Sequence, residues 1–173
     1  QFAVLTVVAV AIGRVVDFVP TALIRSNIPS ISSVTPYTPL EIEGRDLYIR
    51  EGCVGCHSQM VRPLRAETVR YGDYSKPGEF VYDRPFLWGS KRTGPDLHRL
   101  GGKYTDAWHR VHMIDPRAVV PSSIMPAYPW LADNAANASG DVVARMRALR
   151  TLGTPYTDEA IAAAPAALEG KTE

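Results

Sequence analysis

The sequence predicts a mostly α protein with a single N-terminal transmembrane helix, followed by one helical domain. Three observations carry this reading. The segment FAVLTVVAVAIG, Phe2 to Gly13, has no charge, and the apolar character resumes through VVDFVPTALI to Ile24. Apolar residues recur at helical spacing before the two cysteines and again near the C-terminus. Strand signals are few, and no internal repeat divides the chain.

The bulk numbers narrow the function. With 173 residues, the chain has room for one ordinary domain and an appendage. At 46% hydrophobic and 21% charged residues it is not a disordered polymer. A net charge of +1 and the lack of any Lys/Arg-rich run give no argument for nucleic acid. Two cysteines two residues apart cannot form a disulfide framework for a domain of this size.

Read as one helix, Phe2 to Ile24 spans about 35 Å at ~1.5 Å per residue, enough to cross a ~30 Å hydrocarbon core. The uncharged part alone would reach only about 18 Å. Arg14 and Asp17 therefore lie within the span, three apart on one face, where they can pair or snorkel. Pro20 predicts a kink near the exit. Residues 1–25 read as the anchor and 26–39 as a Ser/Pro-rich extended linker. Residues 40–153 read as the main domain and 154–173 as a tail.

Within the domain, Leu40, Gly44, Leu47 and Tyr48 mark a helix before the cysteines. From Ser58 to about Thr93 no sustained period appears, which predicts an irregular segment. A short helix is expected at Asp106–Met113, then a Pro-punctuated loop, DPRAVVPSSIMPAYPW. SGDVVARMRALRTL predicts an amphipathic helix over 139–152, with Val142, Val143, Met146, Leu149 and Leu152 on one side. Ser139 or Asp141 would cap it and Gly153 would end it. The Ala-rich tail reads as a short or frayed helix.

The chemistry centres on REGCVGCHSQM, residues 50–60, which holds both cysteines. A thiol–disulfide site would need a βαβ context, and a zinc site a second ligand pair at short spacing. His98, His109 and His112 could complete a zinc set, but no H-x3-5-H pair occurs. The immediate His57 decides the reading, because C-x-x-C-H is the attachment signature of c-type haem. Cys53 and Cys56 would reach the two porphyrin vinyls from one turn, placing His57 under the iron.

A sixth ligand is then needed. Met60 lies too close to His57 to reach the opposite face. Met146 belongs to an apolar helix face, and Met113 ends a short helix. Met125, in a Pro-bounded loop far down the chain, is favoured, with His98, His109 and His112 as alternatives. A thioether opposite His57 leaves no open coordination position, which points to outer-sphere electron transfer.

RTGPDLHRLGG, residues 92–102, is a Gly/Pro-rich turn. In haem c domains a Thr-Gly-Pro-x-Leu segment packs on the proximal side, and its Pro carbonyl accepts a hydrogen bond from the axial histidine. Pro95 is therefore a candidate orienting residue for His57. Arg62, Arg65, Tyr71, Tyr82, Trp88, Lys91 and Arg92 are candidates to cover the haem or pair with its propionates, of which Arg62, Trp88 and Arg92 enter the candidate site.

The blocks GCHSQMVRPLR, WGSKRTGPDL and MPAYPWL are more particular than C-x-x-C-H. From about Pro36 to Leu131 the chain resembles the monohaem subunit, subunit II, of cbb3-type cytochrome c oxidases. The hydrophobic N-terminus ending in a DFVP turn suits that family's anchor, although Arg14 departs from the small residue expected there. The resemblance implies a cytochrome c-type haem domain at the outer, periplasmic face of a bacterial inner membrane. It implies one haem c, held by Cys53 and Cys56, with His57 and Met125 as iron ligands. It implies two partner subunits: a haem–copper catalytic subunit carrying haem b, haem b3 and copper, and a dihaem cytochrome c subunit. A soluble cytochrome c is a further candidate donor. No catalytic residue is expected on this chain. The alternatives are the small monohaem cytochrome subunit of a nitric oxide reductase and a stand-alone anchored cytochrome c.

Overall fold

The computed structural model describes residues 1–23, 29–136 and 140–173. Ile24, the start of the expected linker at 26–28, and Ser139 as a helix cap lie outside the described residues. The described chain is mostly helical. Its β pairing among these residues is one isolated antiparallel bridge, between Ala135 and Thr172.

The chain divides into two compact units. The first comprises residues 1–34 and 76–81. Its helix α1, Phe2–Leu23, continues through Pro20. The stretch Phe2–Pro20 is long and apolar enough to cross a membrane and buries none of its surface in the protein. In the same unit the 3-10 turn Pro77–Phe80 buries Phe80. A Cβ on Gly78 would stand 2.2 Å from the Pro29 carbonyl oxygen, so only glycine allows this backbone approach.

The second unit comprises residues 35–75 and 82–173. Helix α2, Pro39–Arg50, starts in a complete capping box. The Glu41 carboxylate accepts from the Thr38 backbone N–H at 2.7 Å, and Thr38 Oγ1 accepts from the Glu41 N–H at 3.3 Å. The core of the unit gathers Ile42, Ala136, Val142, Met146, Tyr156, Ile161, Ala164 and Leu168. Helix α6, Val142–Thr151, and helix α7, Asp158–Leu168, supply most of it, and α2, α6 and α7 all pack on one another.

Three expectations change here. The tail is not frayed: α7 is eleven residues long, capped by Thr157, and buries Ile161, Ala164 and Leu168. Those positions are spaced by three and four, a narrow stripe that an Ala-rich background hides. Helix α6 begins at Val142, and Asp141 makes no cap bond but pairs with Arg145 at 2.6 Å. Leu152 leaves the apolar face at 59% exposed, because the helix ends at Thr151 and Gly153, at φ +100°, turns the chain. The irregular stretch 58–93 contains helix α3, Arg65–Tyr71, whose one buried residue is Glu67. With no apolar stripe, α3 leaves no periodic signal.

Helix α4, Asp106–Ile114, is capped by Thr105, whose hydroxyl accepts from Trp108 N–H at 3.2 Å. It packs on the single-turn helix α5, Pro116–Val119, and on the 3-10 turn Pro129–Ala132. The Tyr128 N–H donates to the Met113 carbonyl at 2.8 Å and so ties the loop after α5 to the end of α4.

Candidate functional site

Gly52, at φ +74°, turns the chain out of α2 into the 3-10 turn Cys53–Gly55. The N–H groups of Cys56 and His57 both donate to the Cys53 carbonyl, at 3.0 and 2.9 Å. One tight turn thus carries both cysteines and delivers the histidine. Both thiols are free, Cys53 half-buried and Cys56 exposed. Burial pushes the Cys53 thiol pKa up.

The segment 94–97 lies against this turn. Gly94 N–H donates to the Cys56 carbonyl and Leu97 N–H to the Ser58 carbonyl, both at 2.9 Å. Between these bonds the His57 ring is pinned: its Nδ1 lies 2.8 Å from the Pro95 carbonyl oxygen. A carbonyl can only accept, so Nδ1 carries the proton and Nε2 keeps its lone pair. A Cβ at Gly94 would fall 2.2 Å from His57 Cε1, so the ring fills the space that glycine leaves. Tyr48 donates its hydroxyl proton to the His57 carbonyl at 2.7 Å, and burial raises the phenol's pKa.

Beneath this turn is a polar node that periodicity does not reveal. The buried Asp96 carboxylate accepts from Ser58 Oγ at 2.6 Å, Met60 N–H at 2.8 Å and His98 N–H at 2.9 Å. Arg92 donates to Ser58 Oγ and to the Met60 carbonyl, each at 2.7 Å, and pairs with Glu67 at 2.7 Å. The adjacent Arg92 guanidinium holds the Glu67 carboxyl at about 2, far below its ordinary value, and Arg62 adds to the effect.

Two of the candidate arginines have partners within the protein. Arg92 directs its donors at Glu67, Asp96, Ser58 and Met60, and its side chain is only 17% exposed. It braces the His57 loop. Arg62 pairs with the same Glu67 through its side chain. Trp88 meets the loop through its carbonyl, which accepts from Gln59 N–H at 2.9 Å, while its ring stacks on Phe86 at 4.5 Å. His98 is held by Ser75 Oγ at 2.5 Å from its Nδ1.

On the other side, an apolar cleft of about 350 Å³ runs between Cys53, Leu47, Tyr48, Met113, Tyr128 and Leu131. Tyr128 shares this cleft with Cys53, and burial raises its pKa, with the Cys53 and Cys56 thiols adding to the rise. Met125 is half-buried in the loop after α5, its N–H donating to Ser123 Oγ at 3.2 Å. Met146 is 1% exposed in the core. Burial lowers the His112 pKa, with His109 and His57 nearby adding to the fall.

The donor set suits a covalently held haem: two free thiols on one turn, a histidine with a free Nε2, and an apolar cleft beside Cys53. Among the described residues no group of three or more His, Cys, Asp or Glu converges, so the cysteines lack the second ligand pair that zinc requires. Gly94, Asp96 and Glu67 escaped the sequence reading. The Gly-Pro-Asp run within RTGPDL is the local hint to two of them, and nothing in the sequence marks Glu67.

No curated protein matches the chain. The family model described as cytochrome c oxidase, mono-haem subunit/FixO matches residues 1–173. That family implies one haem, a role in electron transport and a catalytic oxidase partner in a membrane, and α1 fits the anchor such a subunit needs. The chain belongs to the mono-haem, FixO family of cytochrome c oxidase subunits.

Proposed function

We propose that this chain is the electron-transfer subunit of a cbb3-type haem–copper oxidase. Its single haem c takes electrons from a dihaem cytochrome c subunit or a soluble cytochrome c. They pass on to haem b of the catalytic subunit, where haem b3 and copper reduce O2. Cys53 and Cys56 hold the haem by thioethers, and His57 and Met125 ligate the iron. The haem domain stands on the periplasmic side of the inner membrane.

The observation that carries this reading is the His57 ring, with Nδ1 committed to Pro95 at 2.8 Å and Gly94 against its edge. That arrangement sets the tautomer, leaves Nε2 free for a metal and raises its basicity. The bound haem supplies one-electron exchange at iron. The residues of the chain hold the ring still. Asp96, Arg92 and Ser58 lock the backbone on which His57 stands, so little has to reorganise when the charge at the site changes.

Acid–acetone extraction of the purified chain tests the attachment, since haem held by thioethers stays with the polypeptide. Counting haem b and copper in the purified complex tests the oxidase type. A complex without copper would replace this reading with that of a nitric oxide reductase subunit.

A further inference from the structure

One buried polar atom beside the site has no use in the account above. From Tyr104, just before the α4 cap, the rings of Tyr104, Trp108 and His112 form a continuous stack, four residues apart at each step. Tyr104 and Trp108 lie 4.1 Å apart at 14°, and Trp108 and His112 lie 4.6 Å apart at 14°. His109 meets Trp108 edge-on at 5.3 Å. The stack fixes the plane of the His112 imidazole, whose Nδ1 is buried without a hydrogen-bond partner. A buried imidazole nitrogen left without a partner is destabilising, so a bound group that supplies one is favoured there.

His112 stands on α4, whose His109 and Met113 line the cleft beside Cys53. A haem held by His57 offers an imidazole two kinds of polar partner, the iron and the propionate carboxylates. The proposed ligands His57 and Met125 account for the iron, which leaves the carboxylates.

We infer that His112 donates a hydrogen bond through Nδ1–H to a propionate of the bound haem. The inference rests on the reading that a haem c is attached at Cys53 and Cys56. A neutral N–H steadies the carboxylate without adding a charge, drawing electron density away from the iron and favouring the ferrous state.

The test compares the full chain, haem attached, with His112→Leu and His112→Asn. Asn keeps an N–H donor near the Nδ1 position, whereas Leu fills the space without one. His112→Leu is expected to shift the propionate bending band in the resonance Raman spectrum. It should also lower the ferrous-to-ferric ratio several-fold at fixed poise. His112→Asn restores both, and the axial-ligand spectrum stays the same in all three proteins. Unchanged Raman band and potential in His112→Leu would overturn the inference. So would a changed axial-ligand spectrum, which would make His112 a partner of the iron or of its ligand. Should His112→Leu not accumulate, His112→Gln displaces the donor toward the Nε2 position, and wild-type spectra in that variant sink the proposal. Acid–acetone retention is read first: loss of haem there overturns the attachment reading and this inference together. Haem retained with unaltered spectra overturns only the role of His112.

Discussion

His57 donates from Nδ1 to the carbonyl oxygen of Pro95 at 2.8 Å, within a loop whose own N–H groups bond back to the cysteine turn. The residue before that proline is glycine because a Cβ there would stand 2.2 Å from His57 Cε1. Gly94→Ala should therefore displace the imidazole and cost most of the haem-loaded protein. Haem stain per milligram of chain and the low-spin spectrum of what remains measure this. A Gly94→Ala chain with normal haem content and spectrum would contradict the proximal assignment.

Two methionines should separate cleanly. Met146 is buried among Val142, Ile42 and Ile161 in the core, so Met146→Ala should destabilise the fold by about 2–5 kcal/mol with the haem spectrum unchanged. Met125→Ala should do the reverse, altering the axial-ligand spectrum and the potential with a small effect on unfolding. Denaturant titration and visible spectra of both variants give the comparison. An unaltered spectrum in Met125→Ala would transfer the sixth position to another residue.

Acid stability should depend on Glu67. Its carboxyl is held at about 2 by the guanidinium of Arg92, against an ordinary 4.5, so the folded state favours the ionised form. That contribution is complete above about 4.5 and disappears as the pH falls toward about 2. The wild-type Tm should drop through this window, and Glu67→Gln should be less stable at neutral pH with a shallower drop. Thermal melts of both proteins from pH 7 downward measure the difference, and parallel curves would remove Glu67 from the account.

Helix α7 should be indispensable to the second unit. Ile161 is 3% exposed and sits one turn from the fully buried Ala164, so Ile161→Ala should cost about 2–5 kcal/mol. Removing residues from Thr154 onward should leave a chain that does not fold cooperatively. A truncated protein with a sharp unfolding transition would show that α2 and α6 close the core without α7.

Elements with local causes were legible. The apolar span of α1, the helix before the cysteines and helix α4 each announce themselves within one or two turns, because helix formation is a matter of short-range bonding and periodicity. The cysteine–histidine spacing was legible for the same reason: one turn of backbone places all three residues. Partner choice over long sequence distances was not. Arg92 reads in the sequence only as a candidate propionate partner, and nothing local announces its pairing with Glu67, 25 positions before it, or with Asp96. The Ala-rich tail reads in the sequence as a short or frayed helix, and nothing local shows that it completes the core against α2, more than a hundred residues earlier.

By itself, then, the sequence determined the mostly helical class, the apolar anchor and the turn that carries Cys53, Cys56 and His57. Each of these depends on hydrogen bonds and hydrophobic spacing within a few residues. The tertiary structure alone decided that Gly94 and Pro95 clamp the His57 ring, that Asp96 and Arg92 brace the loop beneath it, and that His112 keeps a buried nitrogen without a protein partner. Those outcomes depend on which distant side chains meet once the chain is packed. Packing pairs them by shape and charge, and neither leaves a periodic trace along the chain.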